Sequence, residues 1–151
     1  MGWVERGTLK EIKAPATLES LRLFMQFVSE FAVGQQFPQA RIREIELATE
    51  EAIMNILTHA YPGDCKGEIE VQCESLGDSG LTIRIVDTGI PFNPLSFTDP
   101  DLTTPIMERN PGGLGVFLIR KMMDEIRYHR SGDRNVLTFV ACKRDPRTPH
   151  L

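Results

Sequence analysis

The alternation of hydrophobic and polar residues predicts that the chain begins with a strand and two helices. Residues 7–14 alternate roughly between apolar and polar side chains, as a half-buried strand does, and Pro15 ends the run. Apolar residues then recur at steps of three and four as far as Gly34, which predicts an amphipathic helix. A second helix opens at Pro38 and ends before Pro62. The expected apolar stripes are Leu18, Leu21, Phe24, Met25 and Val28, then Ile42, Ile45, Ala52, Ile56 and Ala60.

The second half of the chain predicts a hairpin, a long loop, a helix and two more strands. Residues 68–76 and 81–87 are strand-like runs joined by a Gly-Asp-Ser-Gly turn. Residues 88–112 contain five prolines and few periodic apolar residues, a composition typical of a functional loop. Helical periodicity resumes at 114–126, and the strands EIRYHRS and NVLTFVACK flank a turn at Gly132.

This order of elements predicts an α+β fold. Strands joined by short turns pair antiparallel, and helices gathered between them pack on one face of a sheet. We therefore expect a two-layer α/β sandwich with a mixed, mostly antiparallel sheet. The length of 151 residues and the hydrophobic content of 41% suit a single domain over 1–151, with its core at 7–143.

Charge and cysteine content argue against several classes of protein. Lys and Arg number 17 against 21 Asp and Glu, which gives a net charge of -4 without a long basic block, so nucleic-acid binding is not expected. Charges interrupt the first fifteen residues, so we expect no signal peptide, no membrane span and a cytoplasmic location. Cys65, Cys73 and Cys142 show no CxxC spacing and are expected to be reduced, packed thiols.

A polar pair on the second predicted helix is the first candidate for chemistry. Glu51 and Asn55 are four residues apart and therefore share one helical face, beside the apolar stripe. A carboxylate can accept a proton, and an amide oxygen can bind a hard cation such as Mg²⁺. A solvated helix face presents the same residue types, and the spacing alone does not separate these interpretations.

Two glycine-containing segments are the other candidates. Asp87 ends a buried strand and Gly89 leaves space beside it, which fits the amine of a purine but is also ordinary turn chemistry. Gly112, Gly113 and Gly115 lead into a helix, where bare amides and the helix dipole favour phosphate. A flexible hinge would have the same composition, and the segment lacks the GK[ST] of a Walker motif.

In combination, the three segments resemble the nucleotide-binding motifs of one ATPase superfamily. EExxxN on a helix, DxGxPF after a strand and GGLG before a helix are similar to motifs of DNA gyrase B, MutL, the heat-shock chaperone ATPase and histidine kinases, the GHKL superfamily. ELATEEAIMNILTHAYPGD, VDTGIPFNP and GGLGVFLIRKMMDEIRYHR resemble the bacterial anti-sigma-factor serine/threonine kinases of that superfamily. The resemblance extends roughly from Leu9 to Lys143 and implies the Bergerat-type ATP-binding fold.

The resemblance implies roles for the candidate residues in binding ATP and Mg²⁺. Glu51 matches the general base, Asn55 the Mg²⁺ ligand and Asp87 the aspartate that binds adenine. Gly89 would give the base room to approach. The remaining implied site residues are the phosphate-binding Gly112, Gly113 and Gly115, Glu108 and Arg109 within an ATP lid at about 88–112, and the strand residue Thr138 beside adenine.

The activity that the resemblance implies is phosphoryl transfer from ATP to a protein. Members of this family hold a sigma factor and phosphorylate a small anti-sigma antagonist on serine or threonine, and the resemblance also implies a homodimer. One alternative is a nucleotide-sensing module that binds a partner without transferring phosphate. The presence of Glu51 and Asn55 weighs against it, because a pure binder needs neither a base nor a metal ligand. Another is the ATP domain of a histidine kinase, but His59, His129 and His150 offer no phosphoacceptor upstream of the domain.

Overall fold

The computed structural model describes residues 4–6, 9–63, 67–96 and 113–143. Two short 3-10 turns precede the first helix and follow the fourth strand. In chain order the helices and strands are β1 (Val4–Arg6), β2 (Leu9–Pro15), α1 (Leu21–Gly34), α2 (Gln39–His59), β3 (Glu68–Ser75), β4 (Gly80–Asp87), α3 (Gly113–Met122), β5 (Glu125–Ser131) and β6 (Arg134–Cys142).

The six described strands form one sheet in the order β1-β2-β3-β4-β6-β5. Every neighbouring pair is antiparallel, so the expected mixed pairing is not found among these strands. The reason is the connection between β2 and β3. Its two helices cross the sheet once in each direction and return the chain to the end from which β2 left. The two-layer α+β fold is confirmed.

The hydrophobic core lies between the helices and one face of this sheet. The predicted stripe of α2 is buried, and it joins the inward-facing residues of the central strands in one cluster. Leu18 is 63% exposed, because it belongs to the 3-10 turn before α1 and not to the helix itself. The largest fully buried side chains of the sheet are Ile69, Val71, Leu81, Ile83, Ile85 and Phe139.

The structure contains one strand that the sequence did not predict and one helix that ends earlier than predicted. The three-residue β1 is too short to show a period and was not expected, although it pairs along its whole length with β2. The last helix ends at Met122 instead of 126, because Asp124 N donates to Val140 O at 2.9 Å and the following residues pair with β6. Sheet pairing thus overrides the helical periodicity of this stretch.

Two further expectations concern the cysteine thiols and membrane-crossing helices. Cys73 is a buried free thiol in β3 and Cys142 is a half-buried free thiol in β6, while Cys65 lies outside the described residues. Burial raises the pKa of the Cys73 thiol, which keeps it protonated and unreactive. Within the described part of the chain, none of the helices combines the length and the apolar character needed to cross a bilayer.

A buried arginine joins the ends of three elements. Arg41, in the first turn of α2, is 3% exposed, and its Nη2 lies 2.5 Å from Asp124 Oδ2. Its Nε donates to Cys142 O at 2.9 Å, and its Nη1 donates to the carbonyl of Met122, the last residue of α3. Asp124 Oδ2 also accepts from Cys142 N at 2.8 Å. We call this group the Arg41 clamp.

We expect Arg41→Ala to lower the free energy of unfolding by about 3–5 kcal/mol, because it leaves Asp124 without its cation and two carbonyls without a donor. Arg43→Ala is the matched control, since Arg43 is exposed in the same turn and its loss should change stability by less than about 0.5 kcal/mol. Urea denaturation measures both. Equal effects of the two substitutions would contradict a structural role for the clamp.

Candidate functional site

Asp87 is buried at the end of β4, on the face of the sheet that packs against the helices. Its side chain is 2% exposed, and the strand register places Asn135 of β6 directly opposite. Asn135 Nδ2 and the backbone N–H of Gly89 both donate to Asp87 Oδ1, each at 2.9 Å. None of the described residues donates to Oδ2. One oxygen of the carboxylate is therefore held, and the other remains able to accept a hydrogen bond from a ligand.

Asn135 fixes the segment that follows β4. It is 4% exposed, and its Nδ2 donates a second hydrogen bond to Ile90 O at 2.8 Å. Its Oδ1 accepts from Phe92 N at 3.2 Å and from the hydroxyl of Tyr128 at 2.6 Å. A backbone carbonyl can only accept and a backbone N–H can only donate, so these two groups determine which way the amide of Asn135 points.

Burial sets the electrostatics of Asp87. Desolvation raises the pKa of its carboxyl, while the hydrogen bonds from Asn135 and Gly89 and the positive charge of Arg130 oppose that rise. The net direction is upward, so the ionised form costs the folded protein free energy. This cost is absent below the ordinary carboxyl pKa and complete above the raised one. A ligand that donates to the carboxylate would offset part of it.

Gly89 brings the segment after β4 against the end of α2. Ile90 N donates to Ala60 O at 2.9 Å, and a Cβ at position 89 would collide with the same carbonyl. The resemblance gives this glycine the role of admitting a nucleotide base. In the structure its contact is with the backbone of α2, so the missing side chain allows close packing of two segments.

Aromatic residues fasten the same segment to α2 and β3. Tyr61 OH accepts from Thr88 N at 2.8 Å and donates to Glu68 O at 3.1 Å. The ring of His59 stacks on that of Phe92, with 4.7 Å between centroids. His59 thus packs against the loop after β4 from the last turn of α2.

Glu51 lies against the first turn of α3. A Cβ built on Gly115 would be 2.5 Å from Glu51 Oε2, so no other residue fits at 115 while Glu51 keeps its position. The N-terminus of a helix carries positive partial charge and unpaired N–H groups. The structure therefore places a carboxylate next to a helix end that also suits phosphate.

Asn55 contains an unpaired buried atom. Its Nδ2 is buried and has no hydrogen-bond partner in the described structure, which costs about 1–3 kcal/mol for an ordinary polar group. Rotation of the side-chain amide by about 180° exchanges nitrogen and oxygen, so Asn55 can present its oxygen to a cation. The described residues contain no group of three or more His, Cys, Asp or Glu that could hold a metal ion. A cation at Asn55 would need its further ligands from a bound molecule or water.

These contacts define one elongated site along α2. Glu51 and Asn55 lie on one face of α2, whose C-terminal cap Ala60 touches the segment after β4. At about 1.5 Å per residue, Glu51 and Ala60 are about 14 Å apart along the helix axis. The site thus extends from α3 at one end to Asp87 at the other.

Some residues implied by the resemblance are not brought into this site. Thr138 is 6% exposed in β6, but it pairs with Arg84 and lies on the sheet face opposite to that of Asp87. Asn135 occupies the position beside Asp87 instead. Gly113 is the first residue of α3, while Gly112, Glu108, Arg109 and most of the 88–112 lid lie outside the described residues.

The sequence pattern of β6 does not by itself single out Asn135. Apolar residues stand at 136 and 140 as well as at 137, 139 and 141, and positions of both parities are buried, so the pattern does not show which face Asn135 occupies. The strand register places it on the core-facing side with 137, 139 and 141, where a polar side chain needs partners. Thr138 has the other parity.

We expect Gly89→Ala and Gly115→Ala to have different effects on stability. The new Cβ at 89 meets a backbone oxygen, which cannot yield without moving the end of α2, so unfolding should cost about 1–3 kcal/mol less. The new Cβ at 115 meets the end of a flexible side chain, so stability should change by less than about 0.5 kcal/mol while the position of Glu51 changes. Urea denaturation of both variants decides; a Gly115→Ala variant as unstable as Gly89→Ala would show that Glu51 cannot move aside.

Comparisons with known proteins identify the family of this chain. Residues 14–141 match the model of the histidine kinase-like ATPase domain family. The serine-protein kinase RsbW of Listeria innocua is 31% identical over 140 residues, which span 84% of this chain and 83% of that protein. The serine-protein kinase RsbW of Bacillus cereus is also 31% identical, over 146 residues that span 94% of this chain and 90% of that protein.

A solved structure supports the fold. The crystal structure of the RsbU and RsbW domains of Rv1364c from Mycobacterium tuberculosis superposes with a TM-score of 0.60 at 17% identity, over 87% of this chain and 32% of that one. At this identity the similarity concerns the fold alone. The family match and the sequence relatives together settle the assignment: the chain belongs to the histidine kinase-like ATPase domain family and, within it, to the RsbW serine-protein kinases.

Proposed function

We propose that this protein is an ATP-dependent serine/threonine kinase that also acts as an anti-sigma factor in a partner-switching circuit. The observation that carries the proposal is the arrangement along α2, where Glu51 meets the first turn of α3 and the C-terminal end meets the segment after Asp87. An adenine nucleotide needs an acceptor for its amine at one end and an anion site at the other. Asp87 would supply the acceptor and the first turn of α3 the anion site, near the two ends of the stretch of α2 from Glu51 to Ala60.

Asp87 and the start of α3 would bind the two ends of ATP. The free Oδ2 of Asp87 is suited to accept a hydrogen bond from the exocyclic amine of adenine. Gly113 and Gly115 begin α3, whose backbone N–H groups and dipole favour the phosphates. Use of ATP follows from membership in an ATPase family.

Mg²⁺ is a further part of this proposal, and Asn55 would hold it. The unpaired amide of Asn55 fits a cation ligand, since rotation presents its oxygen. Mg²⁺ bound with ATP would neutralise charge on the phosphates during transfer. The remaining ligands would come from the phosphates and water.

Glu51 would act as the general base. Its carboxylate lies beside Gly115, where the terminal phosphate would approach, and can accept the proton of a serine or threonine hydroxyl. The hydroxyl oxygen then forms a bond to the γ-phosphorus while the bond to the β-phosphate oxygen breaks, and ADP leaves. The chain itself thus supplies positioning and proton transfer.

The partners come from the family resemblance. The acceptor would be a small anti-sigma antagonist, and the unphosphorylated antagonist would compete with a sigma factor for the kinase. A homodimer, a cytoplasmic location and an ATP lid at about 88–112 that includes Arg109 belong to the same proposal. The relatives' name of serine-protein kinase supports the acceptor class.

We expect Asp87→Asn to weaken ATP binding by one to two decades without destabilising the protein. The free acceptor becomes an NH₂ group, and a charge-assisted hydrogen bond is worth about 1.5–3 kcal/mol. Because the raised pKa of Asp87 makes its charge unfavourable at pH 7, the free energy of unfolding there should stay equal or rise. Titration calorimetry and urea denaturation measure the two effects.

The matched control for that experiment is Asp78→Asn, which removes a carboxylate from an exposed hairpin turn and should alter neither quantity. Unchanged ATP affinity in a folded Asp87→Asn variant would remove Asp87 from the proposed site.

We expect Glu51→Ala and Asn55→Ala to fail at different steps. Glu51→Ala should still bind ATP but transfer phosphate about 10² to 10⁴ times more slowly, because it lacks the base. Asn55→Ala should lose Mg²⁺-dependent nucleotide affinity as well as turnover. Nucleotide affinity and the one-phosphate mass gain of a purified antagonist are measured for both. Transfer by Glu51→Ala at the wild-type rate would contradict the base assignment; a wild-type protein that binds ATP but phosphorylates no genuine partner would support the sensor alternative.

A further inference from the structure

We propose that Tyr128 is a positioning residue that sets the selectivity of the nucleotide site for a 6-amino purine, acting through Asn135 on Asp87. The inference rests on the proposed function, since it assumes that Asp87 binds the adenine amine. The inference adds to the proposed site a residue of β5, which is an edge strand of the sheet.

The three side chains form a continuous hydrogen-bonded series. Tyr128 pairs with Leu137 across the sheet and is therefore the diagonal neighbour of Asn135 on the core-facing side. Its hydroxyl donates to Asn135 Oδ1 at 2.6 Å, and Asn135 Nδ2 donates to Asp87 Oδ1 at 2.9 Å. The phenol thus reaches the carboxylate through one amide.

The direction of this series is fixed by the backbone. Asn135 Nδ2 must face Ile90 O, an acceptor, and Oδ1 must face Phe92 N, a donor. The hydroxyl of Tyr128 consequently has to donate. Donation to an amide oxygen polarises the amide and strengthens the hydrogen bond that its N–H groups make, an effect that a buried environment enhances.

Tyr128 makes the shorter of the two hydrogen bonds that hold Asn135 Oδ1. The other, from Phe92 N, is 3.2 Å long, so loss of the phenol leaves the amide held on that side by one weak contact. Asn135 then restrains Asp87 less well. The Asp87 carboxylate can then adopt several orientations, of which only one presents Oδ2 to a ligand.

Selectivity follows from that orientation. A carboxylate oxygen that is ionised can only accept, so it favours a base with an amine at position 6 and disfavours one with a carbonyl or hydrogen there. Restraint of Asp87 contributes to binding only when the base has that amine. A base without it gains nothing from the Tyr128 hydroxyl.

The neighbouring residue on the same face of β5 reaches the same segment. Arg130 lies directly opposite Asn135, and its Nη1 donates to Gly89 O at 2.8 Å. The outward residues of β5 alternate with these inward ones along the strand. The edge strand therefore contributes to the proposed site, although none of the site residues that the resemblance implies lies on it.

The test compares Tyr128→Phe with the wild type for two nucleotides, ATP and purine riboside triphosphate, which lacks the 6-amine. Tyr128→Phe keeps the aromatic ring and its packing, so we expect the variant to fold, and its unfolding midpoint checks this. ATP affinity should fall about three- to tenfold, the effect of one buried neutral hydrogen bond, while affinity for the analogue should change by less than about twofold. The ratio of the affinity for ATP to the affinity for the analogue, which measures the preference, should therefore fall.

Tyr61→Phe is the matched control. It deletes the other of the two tyrosine hydroxyls in the chain, which holds Thr88 N in the same segment but contacts neither Asn135 nor the Asp87 side chain. We expect it to change the affinities for both nucleotides by similar factors and to leave the preference intact.

Equal losses for both nucleotides in Tyr128→Phe would overturn the inference, because they would indicate only local packing. No change for either nucleotide would overturn it as well. A wild-type protein that binds neither nucleotide, or both equally, would instead overturn the proposed role of Asp87, and this inference with it.

Discussion

The register between β4 and β6 determines which side chains stand together at the proposed nucleotide site. It places Asp87 opposite Asn135 on the helix-facing side and leaves Thr138 opposite Arg84 on the other side. A slip of one residue would turn every side chain of β6 to the other face and would leave Asp87 buried without the hydrogen bond from Asn135. The apolar pairs that continue the same register, such as Ile83 with Phe139, therefore hold the polar pair in place as well as the core.

One helix contributes to the core with one face and to the proposed chemistry with another. The apolar face of α2 is central to the core, while an adjacent face carries Glu51 and Asn55. The polar groups of the site are not arranged for greatest stability, since Asp87 ionises less readily than an ordinary carboxyl and Asn55 leaves an amide unpaired. Groups that are incompletely satisfied in the free protein are those that a ligand can satisfy.

Local patterns predict the elements of this fold better than its long-range contacts. The period of α2 and the alternation in β3 are visible in the sequence because each of these elements buries one face, whereas β4 is buried at seven of its eight positions. The helix predicted over residues 123–126 does not form, because pairing with β6 competes with it. The expectation for Thr138 rests on the motif resemblance, whereas the partner of Asp87 depends on a register between residues 48 positions apart. Because apolar residues stand at both parities of β6, the sequence does not reveal that partner.

The Arg41 clamp makes α3 a lever with a fixed end. The carbonyl of Met122 is held by Arg41 of α2, which also donates to Cys142 O of β6, whereas the other end of the helix meets α2 at the side chain of Glu51. A helix of 10 residues is about 15 Å long, so a rotation of about 10° about the clamp moves its first turn by about 2.6 Å. Tilting α3 alone would therefore change the width of the proposed phosphate end of the site by about an atomic diameter, at the cost of moving Val116 and Ile119, which are buried in the middle of the helix.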